Sequence, residues 1–245
     1  MILPFLAAAA ALPLAQLPGG DAARFQACVA LIKSDPASAV TQAETWTQAS
    51  RAVPARHCLG LAYAATERWS IAAITFAQAA EEAQRQQDGR AAALWTQAGN
   101  AALAGEDPGQ ARDYLDRALA LPTLPPAMKG EAWVDRARAD VALNDLPLGR
   151  IDMDKGLQLV AQDPFAWLLS ATLARRQQDL PRAAKDIAEA EKLAPDDPSV
   201  ELEAGNIAAA SGATAQARQL WQRVVTLGPG TAEAKAAAAA LAGGE

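Results

Sequence analysis

The chain has 245 residues, a formal net charge of −6, and a composition that is 51% apolar yet only 5% aromatic. No Lys/Arg cluster exceeds Arg175-Arg176, which argues against nucleic acid or an anionic membrane surface as partner, because both need a basic face. Runs of Ala, the strongest helix former, point to an all-α protein.

In chain order, residues 2–17 come first. They carry no charge and are interrupted by Pro4 and Pro13, so they are too short and broken for a spanning helix. They fit the apolar region of a secretory signal peptide over residues 1–20, with cleavage expected after Ala15 or near Gly20. No Lys or Arg precedes the stretch, and no clean A-x-A site follows it. The alternative is an apolar helix packed on what comes next. Export would place the mature chain in the periplasm with no membrane span; without it the chain is cytoplasmic.

Residues 21–245 read as one domain of paired helices with short turns. Ser34-Asp35-Pro36 and Glu106-Asp107-Pro108 carry strong breakers, since Asp before Pro ends one helix and Pro suits the first turn of the next. Asn144-Asp145-Leu146-Pro147, Asp179-Leu180-Pro181 and Ser211-Gly212 mark the same place in later units. Gln162-Asp163-Pro164 and Ala194-Pro195-Asp196-Asp197-Pro198 separate one pair from the next. Six units result, starting near residues 20, 53, 92, 130, 164 and 198, with the last three in even register. Extra length sits at 81–90, expected to extend a second helix, and at 121–130, a Pro-rich connector expected to be non-helical. The fourth unit carries Gly149 and Gly156 where Ala is usual, at roughly 0.5–1 kcal/mol each in helix propensity, which marks it as a soft spot. Residues 231–241 read as a final helix covering the end of the stack.

Several units share one set of slots. In the second, Leu59-Gly60, Tyr63, Ala72, Phe76 and Ala79 show the spacing L-G-x2-Y, A-x3-F-x2-A. Trp95, Gly99, Ala111, Leu115 and Ala118 repeat it, as do Trp167, Ala171, Ala183, Ile187, Ala190 and Pro195, and Gly205, Ala217, Trp221, Val224 and Pro229. Ala27, Ala39, Ala43 and Trp46 fill the slots of the first unit. This pattern, with its period near 34, resembles the tetratricopeptide repeat family. The resemblance implies a right-handed superhelical solenoid of about six helical hairpins plus a C-terminal capping helix. Gly60, Gly99, Ala137, Ala171 and Gly205 fall where helices approach most closely. Trp95, Trp133 and Trp167, four residues earlier, are expected in the core, as are Trp46 and Trp221, while Trp69 beside a turn is expected half exposed.

The family's function lies on the concave surface lined by first helices. One slot there gives Cys28, Leu61, Asn100, Arg138, Thr172 and Asn206. Some members use Asn and basic residues in this slot to hold an extended peptide, and an amide both donates to and accepts from a peptide bond. Neighbouring positions are His57, Thr96, Val134, Phe165, Leu168, Arg175, Arg176 and Leu202. The candidate partner-binding set is therefore Asn100, Arg138, Thr172, Asn206, Phe165, Leu168 and Arg175; solvated groove walls are the plain alternative. The full carboxylate clamp of chaperone adaptors is absent, since Thr96 stands where its Lys would be.

Cys28 and Cys58 fall at nearly the same height on adjacent first helices. An oxidising compartment would allow a bridge worth about 3 kcal/mol in the loop-entropy model; two buried thiols are the alternative. Catalysis is not expected. His57 is the sole histidine, its neighbour Cys58 points roughly 100° away on a helix, and Gly228-Pro229-Gly230 lacks the Lys-Ser/Thr of a phosphate loop. No metal or cofactor is implied. The implied function is a non-catalytic adaptor for another protein or an extended peptide in the bacterial cell envelope. The alternative is an assembly factor binding through its convex face or ends.

Overall fold

The computed structural model describes residues 19–243; the expected signal segment lies outside them except for its last two residues, which begin the first helix. Among the described residues there are thirteen α-helices and no strand. The chain divides between Leu143 and Asn144 into two compact units. The first holds α1 (Gly19–Ser34), α2 (Pro36–Ala49), α3 (Val53–Ala65), α4 (Trp69–Arg85), α5 (Ala91–Ala104), α6 (Pro108–Leu119) and α7 (Pro126–Ala142). The second holds α8 (Leu146–Leu157), α9 (Pro164–Arg176), α10 (Leu180–Leu193), α11 (Pro198–Ala210), α12 (Thr214–Leu227) and α13 (Ala232–Gly243). Within each unit, consecutive helices pack as hairpins, and α13 closes the end against α11 and α12. The division falls in the turn of the fourth repeat, the one that carries Gly149 and Gly156.

Caps explain where the helices start. The carboxylates of Asp35, Asp107, Asp145, Asp163, Asp179 and Asp197 each accept a backbone N–H from the first turn, with Pro at the first or second helical position. Each such cap is worth about 1 kcal/mol, and the Pro costs nothing there because its missing N–H would have been unpaired anyway. The same rule corrects the connector at 121–130. Pro126 sits in the first turn of α7, so only residues 121–125 stay outside a helix.

From the second repeat on, one residue makes the sharp turn between the helices of a pair. Glu67, Glu106, Asn144 and Gln178 have φ of 57°, 61°, 64° and 62°, and Gly212 has 79°. In the same turns the next residue's N–H reaches back to close the first helix: Arg68 to Tyr63, Asp107 to Ala102, Asp179 to Ala174 and Ala213 to Ala208, all at 2.9 Å. This six-residue closure is the Schellman pattern. The closing residue is also the N-cap of the following helix, which leaves the hairpin no slack. Gln87, at φ 54°, makes a similar break where α4 ends at Arg85, so the extension expected through residue 90 stops five residues short.

Packing follows the small-residue slot. A Cβ on Gly60 would lie 2.6 Å from the Phe76 ring, on Gly99 2.6 Å from Leu115 Cγ, and on Gly205 2.6 Å from the Trp221 ring. In each pair the large partner stands sixteen positions later on the second helix. The glycine gives up its side chain to seat that of its neighbour. Ala137 and Ala171 occupy the slot elsewhere and are fully buried.

The first repeat is held differently. Its α1 contributes a single buried side chain, Cys28, with Phe25, Leu31 and Ile32 partly covered. Ala27, expected in a core slot, is exposed, and Cys28 takes the inward place. Cys28 is joined to Cys58 of α3 in a disulfide with a Cα–Cα distance of 6.2 Å, which ties a weakly buried helix to a well-buried one.

Gly99→Val is expected to destabilise the fold by about 1–3 kcal/mol, as overpacking does. Val is the sharper test because Ala would recover about 1 kcal/mol of helix propensity. An unchanged urea midpoint would mean the slot is not closed. Thiol titration of the denatured, unreduced protein should find no free thiol, and reduction should cost about 3 kcal/mol of stability; two titratable thiols would contradict the bridge.

Candidate interaction site

In the first unit the first helices are α1, α3, α5 and α7, and they carry Cys28, Leu61, Asn100 and Arg138 of the predicted slot. Cys28 is spent in the disulfide. Asn100 is half-buried, and its Oδ1 is enclosed without accepting a hydrogen bond among the described residues; Gln97 Oε1, one turn earlier on α5, is in the same state. An enclosed carbonyl oxygen without a donor is costly, on the order of 1–3 kcal/mol; Gln97 faces the buried His57, which leaves Asn100 as the one of the two in the predicted slot. Arg138 Nη1 donates to Asp135 Oδ1 at 2.8 Å along α7 and remains 29% exposed.

Three positions expected along the groove belong to the core instead. His57, Thr96 and Val134 are 7%, 5% and 4% exposed. Thr96 Oγ1 donates back to Ala92 O at 3.1 Å, the local bond that Thr makes when it is buried in a helix. The His57 ring lies 4.8 Å from Phe25 and 6.1 Å from Phe76 between centroids. Burial first, then the Arg90 charge, lowers its pKa to about 4, with the Gln97 side chain acting in the opposite sense. A neutral imidazole wedged between rings fills space; periodicity placed it correctly on α3 but could not say which way it faced.

In the second unit the slot gives Thr172 on α9 and Asn206 on α11, both half-buried. Thr172 Oγ1 donates to Leu168 O at 3.0 Å. The expected free Arg fork is already engaged. Arg175 Nε and Nη2 donate to Glu203 Oε1 and Oε2 at 2.7 and 3.1 Å, and Glu203 is 6% exposed. Asn206 Nδ2 donates to the same carboxylate at 3.2 Å, and its Oδ1 accepts Trp221 Nε1 at 3.2 Å. A buried Glu203 without Arg175 would be strongly destabilising, so this Arg works for the fold. Phe165, Leu168 and Leu202 are half-buried and Arg176 is exposed, leaving an apolar strip with one cation on this face.

The tryptophans divide. Trp95 is fully buried with Nε1 donating to Gln84 Oε1 at 2.7 Å, Trp46 and Trp221 are buried, and Trp69 is half exposed. Trp133 and Trp167 are only half-buried, which corrects their expected place in the core. The Arg136 guanidinium covers the Trp133 ring at 5.2 Å, and Trp167 Nε1 donates to Ala161 O at 2.9 Å in the preceding turn.

A buried ionic network in the second unit escaped the sequence. Asp186 on α10 is 2% exposed; Ser170 Oγ, fully buried on α9, donates to it at 2.5 Å, and Arg182 Nε at 3.3 Å. Arg150 donates to the same Ser170 Oγ at 2.8 Å. Arg182 also pairs with Asp154. The available signal was Asp186 lying on the helix face of Ala183, Ile187 and Ala190, where an acid must be paired. Among the described residues no group of His, Cys, Asp and Glu is placed to hold a metal, and no helix is long and apolar enough to cross a membrane.

No protein-family model and no curated protein sequence matches the chain. Solved structures do. The chain is similar to PilW, described as a widely conserved type IV pilus biogenesis factor, with a TM-score of 0.75 at 17% identity over 89% of this chain and 98% of that one. PilF of Pseudomonas aeruginosa gives 0.70 at 15% identity over 90% and 97%. YrrB, described as a TPR protein with an unusual peptide-binding site, gives 0.57 at 18% over 82% and 96%. At these identities the likeness establishes the fold, which is the all-helical hairpin repeat of tetratricopeptide structures.

His57 generates a pH dependence with a definite sign. Its folded pKa lies below the unfolded 6.5, so its contribution is complete above that pH and is lost as pH falls towards about 4. Native His57 should lose roughly 3 kcal/mol across that window relative to His57→Phe, as read from urea midpoints at each pH. Parallel profiles for the two proteins would show that the imidazole is not held neutral.

Proposed function

We propose that the protein is a non-catalytic adaptor of the bacterial cell envelope, which holds a segment of a partner protein on the face formed by its first helices. The observation that carries this reading is Asn100: a carboxamide on a first helix whose enclosed oxygen accepts nothing from the described residues. Asn100 as a whole is only half-buried, and a turn of its carboxamide towards solvent would bring that oxygen to the backbone N–H of an extended peptide, a bond that stabilises by about 1 kcal/mol. Arg138, in the same slot of the next repeat, is 29% exposed while paired with Asp135. Thr172, Phe165 and Leu168 supply a hydroxyl and apolar contacts on the corresponding face of the second unit. Arg175 and Asn206 act as supports there by fixing Glu203 and Trp221. The tetratricopeptide fold supports the reading, as does the printed description of YrrB as having a peptide-binding site.

Envelope location rests on three supports. The first 20 residues carry the composition of a signal peptide; a disulfide persists where the surroundings oxidise. PilW, similar in fold, is described as a pilus biogenesis factor. A second reading, assembly through the second helices, is favoured by Ile71 and Ile74, which stand 38% and 46% exposed one turn apart on α4.

In-cell crosslinking with affinity capture should recover a specific partner with the native chain and lose it with Asn100→Ala plus Arg138→Ala. Asn206 is left intact because its amide holds Trp221. Retention of the same partner by both proteins would sink the first-helix reading and move the interface to the second helices or the ends.

A further inference from the structure

The second unit contains a cleft of about 710 Å³, lined chiefly by second helices, away from the slot that holds Thr172 and Asn206. Leu157 of α8, Trp167 of α9 and Pro181 of α10 make its apolar walls, and Arg182, Lys185 and Asp154 reach its rim. The Trp167 ring is fixed from behind, since its only donor is committed to Ala161 O at 2.9 Å. A rigid half-exposed indole presents a large contact area at little further entropy cost.

The acids at this cleft are already engaged, one of them by a residue behind the wall, Arg150. Asp154 and Asp186 are matched by Arg150 and Arg182, at 3.5 and 3.3 Å for the Arg150–Asp154 and Arg182–Asp186 pairs. Lys185 is exposed, and among the described residues it has no carboxylate partner. In a chain of net charge −6, an unmatched cation beside an apolar wall is a local positive spot that attracts one kind of occupant.

We propose that this cleft is a docking site for an acidic, apolar segment of a partner protein, with an aliphatic or aromatic side chain against Trp167 and a carboxylate on Lys185. It lies beyond the first-helix site and does not depend on it. The apolar group supplies most of the contact, and the rim charge selects its sign.

The test uses the full chain with labelled tryptophan and follows the indole N–H of Trp167 by NMR, assigned with Trp167→Phe. The probes are an end-capped octapeptide alternating Asp with Leu and Phe, and the same peptide with Lys at every Asp. The acidic peptide should shift the Trp167 signal saturably, the basic one should not, and Lys185→Glu should weaken the acidic peptide by at least about fivefold. No saturable shift, equal response to both peptides, or indifference to Lys185→Glu would overturn the site. Asn100→Ala with Arg138→Ala should leave the titration unchanged, which separates this cleft from the first-helix face. Loss of the response in that variant would also count against the cleft.

Discussion

Everything in this molecule depends on how closely the two helices of a hairpin approach. At Gly60, Gly99 and Gly205 the first helix has no room for even one methyl group, because the second helix fills that space with Phe76, Leu115 and Trp221. Such a contact fixes the register of the two helices, and with it the direction in which every other residue of the first helix faces. The single-residue turns then become obligatory. A pair locked sixteen positions apart leaves no chain for a loop, so Glu67, Glu106, Asn144 and Gln178 accept left-handed backbone that costs a non-glycine residue roughly 1 kcal/mol or more. Aspartate caps and first-turn prolines offset part of that cost at the next helix start.

A division of labour between helices follows. At that contact the second helices supply the large side chain, Phe76, Leu115 or Trp221, while first helices contribute Trp95, Leu94 and Leu173 elsewhere in the core. The first helices keep small residues at the contact, which frees their opposite side. Asn100 on α5 is half-buried, with its oxygen enclosed and unpaired among the described residues. In the second unit the equivalent Asn206 is held by Glu203 and Trp221, and Arg175 is drawn into the same network. The repeated slot therefore differs between repeats: Asn206 secures the packing of its own hairpin, and Asn100 makes no such bond through its oxygen.

The fold was legible because its determinants are local. Asp-Pro and Asp-x-Pro breakers, small residues in register with aromatics, and Ala-rich periodicity each act within one hairpin, so spacing alone locates them. What spacing did not reveal was direction and pairing. His57 and Thr96 sit on the predicted helices but turn inward. Trp133 and Trp167 share a slot with Trp95 yet remain half exposed, because their coverage depends on which neighbour, Arg136 or the turn at Ala161, lies beside them. Arg175 looked free because Glu203, its partner, is twenty-eight residues away on another helix. Side-chain pairing between repeats is set by three-dimensional neighbours, and a single chain carries no mark of it.

The central claim is that, in the first unit, the first helices present the binding surface while the second helices hold the framework. Hydrogen exchange of the chain alone and bound to its captured partner addresses this directly. The account predicts added protection on α5 and α7, with α4 and α6 unchanged. Protection of α4 and α6 with none on α5 and α7 would contradict it.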